Sequence, residues 1–437
     1  MMLVTTVHPL FETPLPDGWK LETVDDIKSP EKSSCVAGPF GSNISSKYFV
    51  ESGVPIIRGS NLRDDLTRFV PEGFAFVSEE QATNYKAQHV RGGDLVFTCW
   101  GTVGQVGIIP VNGPFQEYII SNKQLKLRPN LEISDPVYLF FYFAGPKMVQ
   151  HILGKAIGAA VPGINLGILK GLPVVLPPLP LQRRIAGILS AYDELIENSQ
   201  RRIRILEAMA LAIYREWFVH FRFPGHEKLP RVTSHVGHIP QGWEVKPLSA
   251  LCSRMESGGT PKRKSPEYWT DGSIDWFKTG ELWDGFLFGS EEKITERGQR
   301  ESNARIFEPG TILMAIYGSP TVGRMGIVTR PSSCNQAALG LVADTKQISQ
   351  MFLYFVLLSL RAHFNGLAQG AAQQNISKEK VATAVALAPP RSLVAAFDRL
   401  AEPTFDQIQT LQRQVQNLRR TRDLLLPRLL SGQINVN

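Results

Sequence analysis

The stretch Leu181–Phe221, LQRRIAGILSAYDELIENSQRRIRILEAMALAIYREWFVHF, governs how the rest of the chain is read. Apolar residues recur at Ile185, Ile188, Tyr192, Leu195, Leu206, Met209 and Ile213. That alternating three-four spacing places them on one face of a helix. Ser199 and Arg202 interrupt the seam at mid-length. A related pattern runs from about Val394 to Leu430, with its seam at Phe397, Ala401, Thr404, Ile408, Leu411, Val415, Leu418, Leu425 and Leu429, broken by Arg422. One such helix cannot bury its stripe alone, but two in one chain can bury each other. The alternative is two ordinary surface helices, each packed on its own domain. Length favours the pair, because forty residues span ~60 Å, more than a typical domain helix.

The composition is that of a folded protein. The chain has 437 residues, 43% hydrophobic and 20% charged, enough for two or three domains with real cores. Its net charge of +7 permits nucleic-acid or other anionic partners without establishing them. The four cysteines, Cys35, Cys99, Cys252 and Cys334, are far apart and form no C-x-x-C, so buried free thiols in a reducing cytoplasm are expected. The opening residues MMLVTTVHPLFETPLP lack the basic start and apolar run of a signal peptide. The longest apolar runs, Val137–Ala144 and Met351–Leu360, are too short for a bilayer and read as core helices, so no membrane is expected.

The chain repeats itself. Leu15-Pro16-Asp17-Gly18-Trp19 is answered by Ile239-Pro240-Gln241-Gly242-Trp243 just past the first long helix. Gly-rich turns follow, Gly38–Ser42 and Ser257–Pro261, then expected strands at Val54–Arg58 and Ile274–Lys278. Gly93–Phe97 is matched by Gly310–Met314, and each precedes a Gly-rich hairpin, Gly101–Ile109 and Gly318–Val328. Asn122 has a counterpart in Asn335, and Gly158-Ala159-Ala160 in Gly370-Ala371-Ala372. A Pro-rich stretch leads into each long helix. The spacing predicts an α+β first head over 1–178, a long helix over 179–223, a second α+β head over 224–388 and a second long helix over 389–437. The polar stretch 224–238 reads as a linker. Pro403 is expected to kink or interrupt the second helix. Paired antiparallel, the helices would hold two similar but unequal heads in a pseudo-twofold calliper. Twofold proteins read DNA half-sites ~34–36 Å apart.

These residues carry a resemblance. The order and duplication of Leu15–Trp19 and Ile239–Trp243, Gly38–Ser42, Val54–Asn61 (VPIIRGSN), Ile274–Leu282 (IDWFKTGEL) and Pro177–Ile188 (PPLPLQRRIAGI) resemble the specificity subunits of type I restriction-modification systems. The resemblance spans nearly the whole chain, although the second helix opens PPRSLVAAFDRL and lacks the Gln-Arg-Arg-Ile of Gln182–Ile185. It implies two target-recognition domains alternating with two helices that pair as an antiparallel coiled coil. It also implies a non-catalytic reader of double-stranded DNA that joins two methylation subunits and motor-nuclease restriction subunits. Those partners would bring S-adenosylmethionine, ATP and magnesium, leaving this chain with no cofactor of its own.

Motifs for chemistry within the chain fall short. Asp135-Pro136-Val137-Tyr138 lacks the second proline of an adenine methyltransferase motif and reads as a helix N-cap. Gly318–Met325 (GSPTVGRM) has Arg324 and Met325 where a phosphate loop needs Lys and Ser or Thr, so it reads as a hairpin. Asp275 and Lys278 lack the second carboxylate of a nuclease, and His235 and His238 lack companion metal ligands. The expected DNA contacts are Lys47, Arg58 and Arg63 in the first head and Lys262, Arg263, Lys264, Lys278, Arg297, Arg300 and Arg305 in the second. Arginine can grip guanine bidentately, and either cation can neutralise phosphate. Asn61, Asn122, Asn335 and Glu281 read as scaffold. The rival function is a coiled-coil scaffold that binds proteins and not DNA.

Overall fold

The computed structural model describes residues 7–40, 44–158, 162–318, 321–368 and 375–436. Gly41–Ser42, Ala159–Ala160, Ser319–Pro320 and Gly370–Ala372 from the motifs above lie outside these. Contacts divide the chain into two units, Met1–Ile196 with Leu418–Asn437, and Glu197–Asn417.

The first unit begins with the Pro-x-Gly-Trp motif. Trp19 N donates to the Pro16 carbonyl (3.1 Å), and Gly18 sits at φ +79°, where a side chain is disfavoured. The motif is therefore a tight turn that launches strand β1 (Lys20–Thr23). The remaining strands are β2 (Cys35–Ala37), β3 (Val54–Ile57), β4 (Ala75–Val77), β5 (His89–Arg91), β6 (Leu95–Thr98), β7 (Val106–Ile108), β8 (Glu117–Ile120), β9 (Gln124–Leu127) and β10 (Pro173–Leu176). One sheet has the order β2-β9-β6-β7 and another β4-β3-β8-β5, with β3 and β8 parallel; β1 pairs with β10. A Cβ on Gly38 would lie 1.9 Å from the Ser121 carbonyl oxygen, so the end of β2 can approach that turn only as glycine.

The core centres on the helix Pro136–Ala144, where Tyr138 to Phe143 are all fully buried. Ile185, Ala186 and Leu189 of the first long helix (Leu179–Tyr214) complete it, with Leu426, Leu429 and Leu430 of the second (Arg391–Leu430). The two helices also meet through Asp193 of the first and Arg422 of the second (2.8 Å).

The second unit follows a similar plan, with a five-stranded and a three-stranded sheet where the first has two of four strands. Trp243 N donates to the Pro240 carbonyl (3.2 Å) with Gly242 at φ +86°. Its strands are β11 (Arg231–Ser234), β12 (Gly237–Pro240), β13 (Glu244–Pro247), β14 (Cys252–Ser257), β15 (Ile274–Phe277), β16 (Gly285–Leu287), β17 (Glu292–Ile294), β18 (Ile312–Ala315), β19 (Met325–Val328), β20 (Ser332–Cys334), β21 (Ala338–Ala343) and β22 (Val385–Ala388). The sheets are β14-β21-β18-β19-β16 and β17-β15-β20, with β15 and β20 parallel, and β13 pairs with β22. Aromatic packing fills the core, with Tyr214 stacked on Phe355 at 5.3 Å and Phe218 edge-on to Phe397 at 5.3 Å.

Three sequence expectations change. The residues buried on the first helix are Gln182, Ile185, Ala186, Leu189, Ile196, Ser199, Ile203, Ala210 and Tyr214, while Leu195 and Met209 are half exposed and Ile188, Tyr192, Leu206 and Ile213 are partly covered. The true stripe is displaced by about one residue, because it includes small or polar residues that an apolar template skips. On the second helix Ile408, Leu411 and Val415 are buried as expected, with Leu418 and Leu425 partly covered. Pro403 does not interrupt that helix, which is continuous for 40 residues. Pro403 is exposed, and burial of Val394, Phe397, Ala401 and Ile408 on either side offsets the ~3 kcal/mol of an interior proline. The stretch read as a linker holds the β11–β12 hairpin, turned at His235–Val236, and Phe223 stacks on Trp243 at 5.6 Å. No helix among the described residues is long and apolar enough to cross a membrane.

Candidate nucleic-acid interface

In the first head, β3 runs into a 3-10 turn, Gly59–Asn61. The backbone N–H of Arg58 donates to Asn61 Oδ1 (2.9 Å), and the fully buried Asn61 donates from Nδ2 to the carbonyls of Val70 (3.0 Å) and Glu72 (2.8 Å). One buried amide thus fixes the loop that carries Arg63 and Arg68. The turn forms one wall of a cleft of about 620 Å³. Ile44, Phe49, Ile56 and Leu62 contribute apolar surface, and Trp100, 43% exposed, stands on the rim side formed after β6.

Among the described residues the cleft lining carries three cations, Arg58, Arg63 and Lys123, and no carboxylate. Arg58 spends Nη2 on the Gly73 carbonyl (2.9 Å). Gln105 Oε1 accepts from Thr102 Oγ1 (2.5 Å), and Gln124 Oε1 accepts from Ser121 N (3.1 Å) and from its hydroxyl. The Nε2 of Gln124 is buried with no hydrogen-bond partner among the described residues. Lys47 lies outside this lining, with its ammonium 4.6 Å from the Tyr48 ring centroid. Lys123, Gln105 and Gln124 escaped the sequence reading. Their signal was the contrast of Lys123-Gln124 with Gln336-Ala337 beside the matched Asn122 and Asn335.

The second head uses the same turn with different chemistry. Lys278 N donates to Glu281 Oε1 (2.9 Å), and Glu291 N donates to Glu281 Oε2 (2.9 Å), so Glu281 does the work of Asn61. Lys278 Nζ pairs with Glu291 (2.7 Å) and Glu292 (3.1 Å), contacts that hold its pKa above the ordinary lysine value. Arg263 pairs with Glu292 and lies over Trp269 (4.0 Å) and Trp276 (4.6 Å), the latter ring fully buried. Arg297 pairs with Glu301 (3.0 Å) and Arg305 with Glu256 (3.7 Å). Lys262, Lys264 and Arg300 are exposed and have no ion-pair partner among the described residues. The seven expected cations of this head therefore separate into four with carboxylate partners and three without.

The remaining motifs resolve as structure. Asp135 Oδ1 accepts from Val137 N (3.0 Å) and Tyr138 N (2.9 Å), capping the helix that Pro136 starts. Asp275 is buried against Arg330, with Ser290 donating from Oγ (3.2 Å). Gly318 begins the β18–β19 turn, accepting from Thr321 N (2.9 Å). Burial pushes the Cys35 and Cys99 thiols up to about 11 and those of Cys252 and Cys334 up to about 12. Those thiols are protonated and unreactive near neutral pH. Among the described residues no cluster of His, Cys, Asp and Glu is placed to hold a metal ion.

The first long helix is tied to its head by charge. Asp193 Oδ1 accepts from Arg422 Nη1 (2.8 Å), and Asp193 Oδ2 accepts from Arg68 Nε (3.3 Å). Arg68 also donates to Ser190 Oγ (2.7 Å) and lies 5.5 Å from the Phe141 ring centroid. Arg422 is the residue that broke the apolar seam of the second helix, and this ion pair is why it is there. In the second unit the link is neutral, with Phe286 N donating to Gln412 Oε1 (2.9 Å).

Comparison with known proteins gives this architecture a family. Residues 38–208 and 240–384 each match the model of the type I restriction modification DNA specificity domain. The chain is 23% identical over 429 residues to the type I restriction enzyme MjaIX specificity subunit of Methanocaldococcus jannaschii, covering 97% of this chain and 95% of that protein. It is 22% identical to the HindI specificity subunit of Haemophilus influenzae, over 74% of this chain and 83% of the relative. A solved type I restriction-modification S subunit from M. genitalium shares the fold at a TM-score of 0.57 and 14% identity, covering 94% of this chain and 96% of that one. The two-headed α+β architecture with paired helices is that of a specificity subunit. The chain belongs to the type I restriction-modification specificity family, whose members serve as non-catalytic recognition subunits.

Proposed function

We propose that this chain reads a bipartite, asymmetric DNA target, one half with each head, and brings methylation and restriction subunits to it in the cytoplasm. The head over 1–178 and the head over 224–388 are the recognition domains in this reading. The long helices 179–223 and 389–437 carry the docking surface for two methylation subunits and, where present, motor-nuclease subunits. The observation that supports it best is the pairing of similar topology with unequal polar lining. Arg58-Gly-Ser-Asn61 and Lys278-Thr-Gly-Glu281 make the same turn, yet one borders a cleft with no carboxylate among its described residues and the other a cluster of carboxylates. Two such surfaces suit two different sequences. The cations named above in both heads would bind DNA phosphate and base edges, while chemistry on the target base stays with the partner.

The test is a long-read methylation map of a host carrying this gene with its neighbouring genes. A split adenine motif that disappears on deletion of this gene is the expected result. Unchanged methylation, together with purified complex that fails to retain duplex at low salt, would favour the protein-binding scaffold.

A further inference from the structure

We propose that the cleft of the first head reads an acceptor-only edge of DNA, either the O6 and N7 edge of a guanine or a pair of phosphate oxygens. This rests on the DNA-reading function above and names the groups that perform it. The charged groups lining the cleft are all donors among the described residues. Arg63 and Lys123 have no ion-pair partner among the described residues, and no carboxylate lines the cleft with them. The side-chain carbonyls of Gln105 and Gln124 are already taken, by Thr102 and by Ser121. Gln124 is thereby held with its acceptor turned to the protein and its NH2 without a partner among the described residues.

Gln124 makes this a built site rather than a basic surface. Its residue is fully buried, and its Nε2 has no partner among the described residues. A buried donor without an acceptor is a standing cost, removed when an acceptor enters. Cytosine and adenine present exocyclic amino donors in the major groove, and the described lining offers no carboxylate to receive them; thymine presents one acceptor beside a methyl group, whereas guanine presents two acceptors side by side for two cationic donors. Phosphate presents acceptors only. The second head lacks the set, because its counterparts of Lys123 and Gln124 are Gln336 and Ala337, and Lys278 is occupied by Glu291 and Glu292. The acceptor edge therefore belongs to one half of the target only.

The experiment uses the full chain with its methylation partners, carrying Arg63→Ala, Lys123→Ala, Gln124→Leu or, as a control, Lys147→Ala on an exposed helix outside the cleft. Methylation maps are read alongside binding of the complex to its own duplex across a salt series. If the edge is a guanine, the cleft variants admit other bases at one G position of one half-site. Discrimination there falls roughly 5- to 150-fold, and the other half-site is unchanged. If the edge is phosphate, the motif is unchanged, affinity falls equally for all sequences, and the slope of log K against log salt becomes shallower by about 1 per lost contact. Arg63 and Lys123 are exposed, so their variants report even if Gln124→Leu misfolds. Arg63→Ala and Lys123→Ala that match Lys147→Ala in both motif and salt slope would overturn the proposal and leave the DNA-reading function standing. Wild-type complex with no motif and no duplex binding would overturn that function itself.

Discussion

Asp193 accepts from two arginines that arrive from opposite ends of the sequence, Arg68 and Arg422. Arg422 is nearly buried, with a side chain 7% exposed, so removing it leaves the poorly solvated Asp193 carboxylate with the longer Arg68 contact alone. Arg422→Ala is expected to cost about 3 kcal/mol in chemical denaturation. Replacing both partners by leucine is expected to recover part of that loss, because the only charge then left without its carboxylate is Arg68, which is one-third exposed. His8 is the second residue with a measurable signature. Burial holds its imidazole down at about 4, against the weaker opposing pull of the Leu430 carbonyl at 3.2 Å. The unfolded chain takes a proton near 6.5 and the folded chain does not, so the unfolded state binds more protons between those values. The contribution of His8 is full above about pH 6.5 and is lost as pH falls toward 4. Melting temperature against pH should show that decline in the wild type and a flatter profile in His8→Gln.

At the scale of the element, the first long helix separates two phases of one pattern. Leu189 is fully buried and Leu195 is 51% exposed, although both are leucines at seam-like spacings. Leu189→Ala should cost roughly 2–5 kcal/mol, and Leu195→Ala within about 0.5 kcal/mol. Equal losses in urea denaturation would show that the expected seam, not the observed one, is the packed face. The existence of both helices was legible in the sequence because apolar spacing over forty residues admits no other regular element. The phase was not, because Ser199 is buried beside Ile196 and Ile203, and hydrophobicity alone assigns serine to the outside. The strand order was hinted at by the duplicated Gly-Trp turn and the Val54–Arg58 and Ile274–Lys278 segments. The β11–β12 hairpin was hidden, since β11 is exposed along most of its length and only Ile239 and Pro240 of β12 are buried. Arg58 and Arg63 were placed in one cleft by a loop that Asn61 ties from within, and no local pattern reveals a buried amide's three partners.

For the whole molecule, the proposed reading makes the unread gap a function of helix length. Deleting one seven-residue repeat from both long helices shortens each by ~10 Å. The gap in the methylated motif is then expected to shrink by about three base pairs at ~3.4 Å each. A motif with its original spacing would show that something other than the helices sets it. The division of the chain also bears on its synthesis. The first unit is closed by Leu426, Leu429 and Leu430, and Glu197–Asn417 lies between those residues and the rest of that unit. A nascent first head must therefore wait, its core open on one side, while the ribosome makes the whole intervening unit. At ~5–20 residues per second that interval is roughly 10–40 s. During it Ile185 and Leu189 have no partner from the second helix. Such a chain is exposed to chaperones and to aggregation for longer than one whose domains close in order, and a premature stop before Leu418 would leave the first head and the helix pair incomplete.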